Sequence, residues 1–168
     1  MLRSASITPS NWPLRIALGF GAAFLATVTF HQFGLLILHL LGMTPAVPWA
    51  TRAVPPFGVP QVISLAFWGG IWGIVFVLVE PYLARSPGGY WVGTILFGAI
   101  FPTLVAWFIV APLKGSPAGN GFHVPGVFVG PIVNGLWGLG TAMFLRMLVG
   151  WLSNQRERTD LPQTAGRS

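Results

Sequence analysis

The side chains that could perform acid–base or metal chemistry in this chain are few and lie far apart. The carboxylates are Glu80, Glu157 and Asp160, and the histidines are His31, His39 and His123. There is no cysteine, which excludes a thiolate nucleophile, a disulfide framework and a sulfur-ligated metal. The sequence also contains no Gly-x-Ser-x-Gly, phosphate loop or HExxH motif. We therefore predict that the protein is not an enzyme.

The histidines do not form a pattern that binds haem or a metal. His31 and His39 lie eight residues apart, which is about 80° around one helix at about 100° per residue, so they cannot ligate the same iron. His123 lies in a connection rich in proline and glycine, with no acidic residue near it in the sequence. We predict no metal and no cofactor. His31 is either a neutral, hydrogen-bonded histidine or a functional ionisable group.

The composition is that of a membrane protein. Charged residues make up 7% of the chain, hydrophobic residues 54%, and the mean hydropathy is +0.72. A soluble domain has about a quarter of its residues charged. The net charge is +6, but the nine basic residues are scattered without a basic stripe, which argues against nucleic-acid binding. We expect the lipid bilayer to be the surrounding medium.

Four apolar runs are long enough to cross a bilayer as helices: 14–41, 61–80, 90–110 and 127–149. The first run is longer than the core of a cleaved signal peptide, which is about 7–15 residues. The sequence thus predicts an all-α, polytopic membrane protein. Residues 1–168 form a single membrane domain with four transmembrane helices, and 150–168 form a polar cytoplasmic tail.

The basic residues predict the orientation. The two terminal segments and the middle loop hold seven of them: Arg3, Arg15, Arg85, Arg146, Arg156, Arg158 and Arg167. The other two loops hold two, Arg52 and Lys114. By the positive-inside rule both termini face the cytoplasm. We predict a multi-pass protein of the bacterial inner membrane, N-in and C-in.

A segment of the chain is repeated. FGVPQVISLAFWGGIWGI at Phe57–Ile74 aligns without a gap with FHVPGVFVGPIVNGLWGL at Phe122–Leu139, and seven positions are identical. Each copy is a loop followed by a helix that runs in the same direction through the membrane. We interpret this as two parallel-repeat helical hairpins, with Trp72 and Trp137 turned inward.

Several polar and indole side chains lie within a few residues of the midpoints of the apolar runs. They are His31, Gln32, Trp68, Trp72, Thr103, Asn134 and Trp137. Glycines recur at helical spacing on the second and fourth runs, at Gly69, Gly73, Gly130 and Gly138, where they would let helix backbones approach closely. One reading is a functional polar layer between the helices; the other is ordinary packing with interhelical hydrogen bonds.

Two further features lie at the ends of the runs. Glu80 lies at a helix C-terminus, where its charge opposes the helix dipole, so we expect an ion pair with Arg85, Arg146 or Arg15.

Both longer loops contain Phe-x-Val-Pro directly before a helix. This segment either dips into the membrane interface or sets the direction of the next helix, because the residue before proline favours extended geometry.

The arrangement resembles the YagU-like small bacterial inner-membrane proteins of unknown function. The resemblance is carried by FWGGIWGIVF at Phe67–Phe76, NGLWGLGTAMF at Asn134–Phe144 and VAPLKG at Val110–Gly115, and covers about 15–150. It implies a fold of four helices and no activity. Asn134 stands in the region of the fourth helix where a histidine is expected in such relatives.

The sequence predicts an integral membrane protein without catalytic chemistry, acting as a structural, accessory or partner-binding subunit. Its partner would be another membrane subunit or a second copy of the chain. The alternative is a small oligomeric permease or channel with a polar path through His31, Gln32, Thr103 and Asn134.

Overall fold

Four long apolar helices make up most of the chain. A computed structural model describes residues 11–160, and the candidate membrane spans are Trp12–Leu40, Gln61–Leu83, Gly89–Leu113 and Gly126–Gln155. We name them spans 1 to 4. The prediction of an all-α, multi-pass membrane protein with four spans is confirmed. The last helix runs from Val129 to Asp160, so the first part of the predicted tail is helical, while 161–168 lie outside the described residues.

Spans 1 and 3 each contain a π turn. Span 1 consists of an α-helix at Trp12–Ala26, a π turn at Thr27–His31 and an α-helix at Gln32–Leu40. Span 3 is helical at Gly89–Val105, forms a π turn at Ala106–Val110 and ends with Ala111–Leu113. A π turn accommodates an extra residue and interrupts the regular hydrogen-bond ladder. Side chains beyond it therefore point in directions that a uniform helix would not give.

Span 2 extends past the predicted end at Glu80, and Pro81 lies inside its last turn. Proline has no N–H, so it cannot donate to the carbonyl four residues earlier, that of Val77. The Arg15 side chain of span 1 supplies the missing donor, with its Nη2 atom 3.1 Å from the Val77 oxygen. Span 2 can therefore continue to Leu83.

The connections differ in structure. After span 1 the chain forms a short antiparallel hairpin, β1 at Ala53–Val54 and β2 at Val59–Pro60, with Val54 opposite Val59. After span 3 it forms 3₁₀ turns at Ala118–Phe122 and Gly126–Phe128. In both cases the proline of Phe-x-Val-Pro lies directly before a helical segment. The two copies of this motif thus share a position but not a backbone conformation.

The spans pack in the order 2, 1, 4, 3. Span 1 contacts spans 2 and 4 extensively, span 4 also contacts span 3, and spans 2 and 3 meet over a shorter stretch. We call the end of the bundle with the 84–88 loop the terminal end, and the end with the two longer connections the loop end. Both ends of the described chain extend from the terminal end.

Glycines permit backbone contact inside each helical hairpin, of which spans 1 and 2 form the first and spans 3 and 4 the second. A Cβ atom on Gly73 would collide with the carbonyl oxygen of Gly19 and the side chain of Ala23 in span 1. A Cβ atom on Gly138 would collide with the carbonyl oxygen of Thr94 and approach Gly98 in span 3. Neither position tolerates a side chain unless the helices separate.

The main core occupies the half of the bundle nearer the terminal end. Small residues on one face of span 1 allow aromatic side chains of spans 2 and 3 to fill the centre, where Phe76 and Phe97 meet edge to face at 5.6 Å. The buried members of this core are Ala22, Ala23, Ala26, Phe76, Val77, Phe97, Trp137, Ala142 and Leu145. A smaller cluster of Leu35, Leu38 and Val133 joins spans 1 and 4 toward the loop end.

Gly73→Ala and Gly138→Ala are each expected to destabilise the fold by about 1–3 kcal/mol, because a methyl group would force packed backbones apart. Gly21→Ala is the matched control, since nothing lies within 4 Å of its Cβ position. It should be neutral or stabilising by up to about 1 kcal/mol through helix propensity. Thermal unfolding in detergent measures the three variants, and equal melting temperatures would contradict the packing argument.

Candidate functional site

Thr103 and Asn134 form a direct hydrogen bond between spans 3 and 4. The Nδ2 atom of Asn134 donates to the Thr103 hydroxyl at 2.9 Å. Thr103 is buried, and Asn134 is half-buried. Gly130, one turn earlier in span 4, allows close packing beside them: its Cβ position lies 3.2 Å from the Thr103 Cγ2 atom and 3.5 Å from the Trp107 Nε1 atom. Part of the predicted polar layer therefore lies within the second hairpin.

Trp137 is turned into the bundle. It is 3% exposed, and its indole N–H donates to the Ala23 carbonyl of span 1 at 3.1 Å. The Thr27 hydroxyl donates to the same oxygen at 2.9 Å and lies against Gly69 of span 2. Ala23 and Thr27 thus form a junction of spans 1, 2 and 4. A tryptophan at this depth is explained by a backbone acceptor rather than by access to the headgroup region.

The other two tryptophans of the predicted layer behave differently. Trp72 is half-buried and packs edge to face on Phe97 of span 3, with ring centroids 6.3 Å apart. Trp68 is 60% exposed and contacts Phe67, also on the outside of the bundle. Trp68 lies about 140° around the helix from Gly73, on the side away from span 1, at about 100° per residue. Trp68 therefore lies on the outer surface of the bundle and not between its helices.

His31 and Gln32 are directed toward the loop end rather than toward Asn134. The Nδ1 atom of His31 lies 3.3 Å from Nε2 of Gln32, and Oε1 of Gln32 accepts a hydrogen bond from the backbone N–H of Trp49 at 2.7 Å. The Trp49 indole donates to the Val28 carbonyl at 2.9 Å and stacks edge to face on Phe33 at 5.0 Å. Gln32 therefore fastens the first long connection to span 1.

The predicted layer is thus divided between two places. Within residues 11–160, no hydrogen bond links His31 or Gln32 with Thr103 or Asn134. His31 lies in the π turn of span 1, which changes which residues of that span share a face. Trp49 is a residue of this region that the sequence did not single out.

A polar cluster joins all four spans at the terminal end. Arg15 of span 1 pairs with Glu80 of span 2 at 2.7 Å, and the Tyr90 hydroxyl of span 3 donates to the other carboxylate oxygen at 3.1 Å. The guanidinium carbon of Arg146 in span 4 lies 4.1 Å from the centre of the Tyr90 ring and 5.1 Å from that of Trp91.

Glu80 therefore pairs with one of the three arginines that were expected as its partner. Neither Arg85, which is exposed in the loop, nor Arg146 pairs with Glu80; Arg15 does. The Val77 carbonyl released by Pro81 explains this choice, because Arg15 donates to both the carbonyl and the carboxylate. Tyr90 had no distinguishing signal in the sequence beyond its position at the start of a span.

No arrangement suited to a metal is found in the part of the chain that the structure describes. Groups of three His, Asp or Glu side chains close enough to share an ion are absent there. Nδ1 of His39 lies 3.2 Å from the Thr44 carbonyl, and His123 is exposed in the second long connection. A shallow groove of about 220 Å³ on spans 3 and 4 is lined by apolar side chains, among them Ile95 and Ile132. None of its lining residues belongs to the polar pairs described above.

The Asn134–Thr103 contact should appear as an energetic coupling. In a double-mutant cycle of Asn134→Ala and Thr103→Val, the coupling is expected to be about 0.6–1.7 kcal/mol, the range for hydrogen bonds between membrane helices. Replacing Thr103 by Val together with Trp68→Leu, on the outer face of span 2, should be additive. Unfolding free energies in mixed micelles give both values, and additivity in the first pair would refute the contact.

Glu80→Gln should destabilise the bundle by about 1–3 kcal/mol, because a neutral amide forms weaker hydrogen bonds with Arg15 and Tyr90 than the carboxylate does. The side chains of Arg15 and Glu80 are 15% and 24% exposed. Arg85→Gln is the control and should leave the melting temperature unchanged. Comparable losses in the two variants would restore Arg85 as a partner of Glu80.

Comparison with known proteins adds no assignment. No protein-family model, no curated protein and no solved structure matches this chain. The resemblance to YagU-like proteins rests on short motifs and stays a prediction.

Proposed function

We propose that this chain is a non-catalytic integral protein of the bacterial inner membrane that acts as a structural or accessory subunit. The observation that carries the proposal is the filled core in the half of the bundle nearer the terminal end. The functional part of the molecule would then be its outer surface, where it meets lipid and a partner subunit or a second copy.

The core blocks the centre of the bundle at one level. Phe76 and Ala23 are 0% exposed, and Phe97 is 4% exposed. Solute moving along the bundle axis would have to pass between these side chains, which touch one another and leave the interior apolar. A bundle that is filled in this way supports a packing role over a conducting one.

The hydroxyl groups near this level do not line a path. The Thr94 hydroxyl donates to the Trp91 carbonyl of its own helix at 2.9 Å, and the Thr141 hydroxyl donates to the Trp137 carbonyl at 2.8 Å. Both threonines are 0% exposed. Because each hydroxyl is satisfied within its own helix, neither offers a hydrogen bond to a passing solute.

The internal contacts of the two hairpins support the proposed duplication. Gly73 packs against a backbone carbonyl of span 1, that of Gly19. The equivalent Gly138 packs against a backbone carbonyl of span 3, that of Thr94. One turn earlier, Gly69 lies against Thr27, and the equivalent Asn134 bonds Thr103. A π turn follows in both first helices, at Thr27–His31 and Ala106–Val110.

The contacts between the hairpins follow the same relation. Trp137 of the second hairpin reaches Ala23 of span 1, and Trp72 of the first hairpin reaches Phe97 of span 3. Each repeated indole thus contacts the first helix of the other hairpin. This is the relation expected for parallel copies about an axis along the membrane normal.

The charges support the N-in, C-in orientation. Arg15, Arg85 and Arg146 lie at the terminal end, while Arg52 and Lys114 lie in the connections at the loop end. The positive-inside rule then assigns the terminal end to the cytoplasm.

One observation favours the alternative of a small permease. His31 and Asn134 are half-buried rather than sealed, and both lie toward the loop end of the core. A polar group that is reachable at membrane depth is a candidate for solute contact. For this function the core around Phe76 and Phe97 would have to open.

Flux measurements on proteoliposomes of the pure protein test the proposal. The protein is reconstituted with a trapped pH dye for protons and, separately, with an osmotic assay for a small neutral solute such as glycerol. We expect rates equal to those of empty vesicles for the wild type, His31→Ala and Asn134→Ala, because the core stays closed. Gramicidin serves as the positive control for proton flux.

A protein-dependent flux in the wild type that either substitution lowers at least tenfold would overturn the accessory role and favour the permease. Thermal unfolding of the same preparations shows that the variants are folded. If a variant is unfolded, its loss of flux is not evidence for a path through the bundle. The wild-type rate, compared with that of empty vesicles, then decides between the accessory role and the permease.

A further inference from the structure

Arg146 is held on two aromatic rings, and no acidic side chain that the structure describes pairs with it. Its guanidinium carbon lies 4.1 Å from the centre of the Tyr90 ring and 5.1 Å from that of Trp91, both at the start of span 3. The residue is exposed, and no carboxylate among the side chains that the structure describes forms an ion pair with it. Glu80, which lies in the same cluster, is already bound by Arg15 and Tyr90.

This arrangement prepares the guanidinium for a bidentate acceptor. Cation–π contact with Tyr90 and Trp91 restricts the long arginine side chain, so that little rotamer entropy remains to be lost on binding. A guanidinium group carries five N–H donors in a fixed fork. Phosphate and carboxylate groups match that fork with two parallel hydrogen bonds.

The local charge selects an anion. Arg15 and Glu80 neutralise each other, and among the described side chains no carboxylate compensates the charge of Arg146. Arg85, exposed in the adjoining loop, adds a second positive charge at the same end. At the described side chains of this cluster a cation would be repelled, whereas an anion would gain from both arginines.

The position of the cluster specifies where the anion comes from. Tyr90 and Trp91 begin span 3, and Trp12 begins span 1, where its ring lies 5.4 Å from the guanidinium carbon of Arg15. Tyrosine and tryptophan at span ends mark the headgroup level of a bilayer. The anion that is concentrated at this depth is the phosphate of a phospholipid.

We propose that Arg146, clamped on Tyr90 and Trp91, binds the phosphate group of an anionic phospholipid at the terminal end of the bundle. The site takes one headgroup, and its acyl chains lie along the exposed surface of spans 3 and 4. It requires that the protein resides in a membrane but does not depend on whether its role is accessory or conducting.

Native mass spectrometry of the delipidated full chain, titrated with phosphatidylglycerol, tests the site. Arg146→Gln should weaken the tightest binding step about tenfold, as expected for loss of a charge-assisted hydrogen bond. Arg146→Lys should give an intermediate loss, because lysine keeps the charge without the fork. Arg158→Gln, an exposed arginine farther along the same helix, is the control and should bind like the wild type.

Two further binding measurements identify the ligand. Phosphatidylcholine should bind more weakly than phosphatidylglycerol, since its choline group places a positive charge near Arg85. Inorganic phosphate at 10-fold excess over the lipid should not displace it, because the acyl chains add contacts that free phosphate lacks. Full displacement by inorganic phosphate would show a site for free phosphate and overturn the assignment to lipid.

The proposal is refuted if Arg146→Gln binds phosphatidylglycerol as the wild type does, or if Arg158→Gln loses as much affinity. Trp91→Leu provides a second variant, because it keeps Arg146 and removes one of the two rings. It should weaken binding about threefold, consistent with a cation–π contact at an exposed site. If Arg146→Gln does not fold, the Trp91→Leu measurement decides, and unchanged affinity there refutes the clamp.

Discussion

Close contact between helix backbones within each hairpin is the constraint on which the structure depends. In a bilayer, lipid tails are as apolar as the helix surfaces, so burial of apolar area provides little drive for association. Dispersion contacts and interhelical hydrogen bonds must hold the bundle together, and both require short distances between helices. Gly73 and Gly138 allow those distances by placing backbone against the carbonyls of Gly19 and Thr94. The aromatic core of Phe76 and Phe97 can seal the centre because small residues of span 1 leave it the space.

The polar side chains of the spans act largely as partners of backbone carbonyls. Arg15 binds the Val77 carbonyl that Pro81 leaves without a donor, and the Trp137 indole binds that of Ala23. The Trp49 indole binds the Val28 carbonyl inside the π turn of span 1. An unsatisfied backbone group in the hydrocarbon region costs several kcal/mol, so the bond from Arg15 is required where Pro81 removes the backbone donor to Val77. The same side chains that look like candidates for chemistry are therefore already in use by the fold.

How much the sequence predicts depends on which physical property is asked for. Hydropathy identifies the four spans because each run must cross about 30 Å of hydrocarbon. It does not determine the rotation of each helix, since these spans are apolar on every side and the lipid-facing side has no polar signal. Trp68 is assigned to the interior for that reason, although it faces outward. His31 bonds Gln32 and Asn134 bonds Thr103, and His31 lies in a π turn that composition and periodicity do not reveal. Thr103 and Asn134 are both recognisable from their depth, but their pairing depends on the packing of spans 3 and 4.

The terminal end shows how a charge can be accommodated where the helix dipole opposes it. Glu80 lies near the C-terminus of span 2, where a carboxylate is unfavourable. Both of its oxygens are bound, one by the cation of span 1 and the other by the hydroxyl of Tyr90. Tyr90 also lies beneath the guanidinium of Arg146, so a single ring connects the neutral pair with this second arginine. An anion at Arg146 would therefore contact a cluster to which all four spans contribute a side chain. The most polar contacts of this bundle are concentrated where the chain leaves the hydrocarbon, which is where their desolvation is least costly.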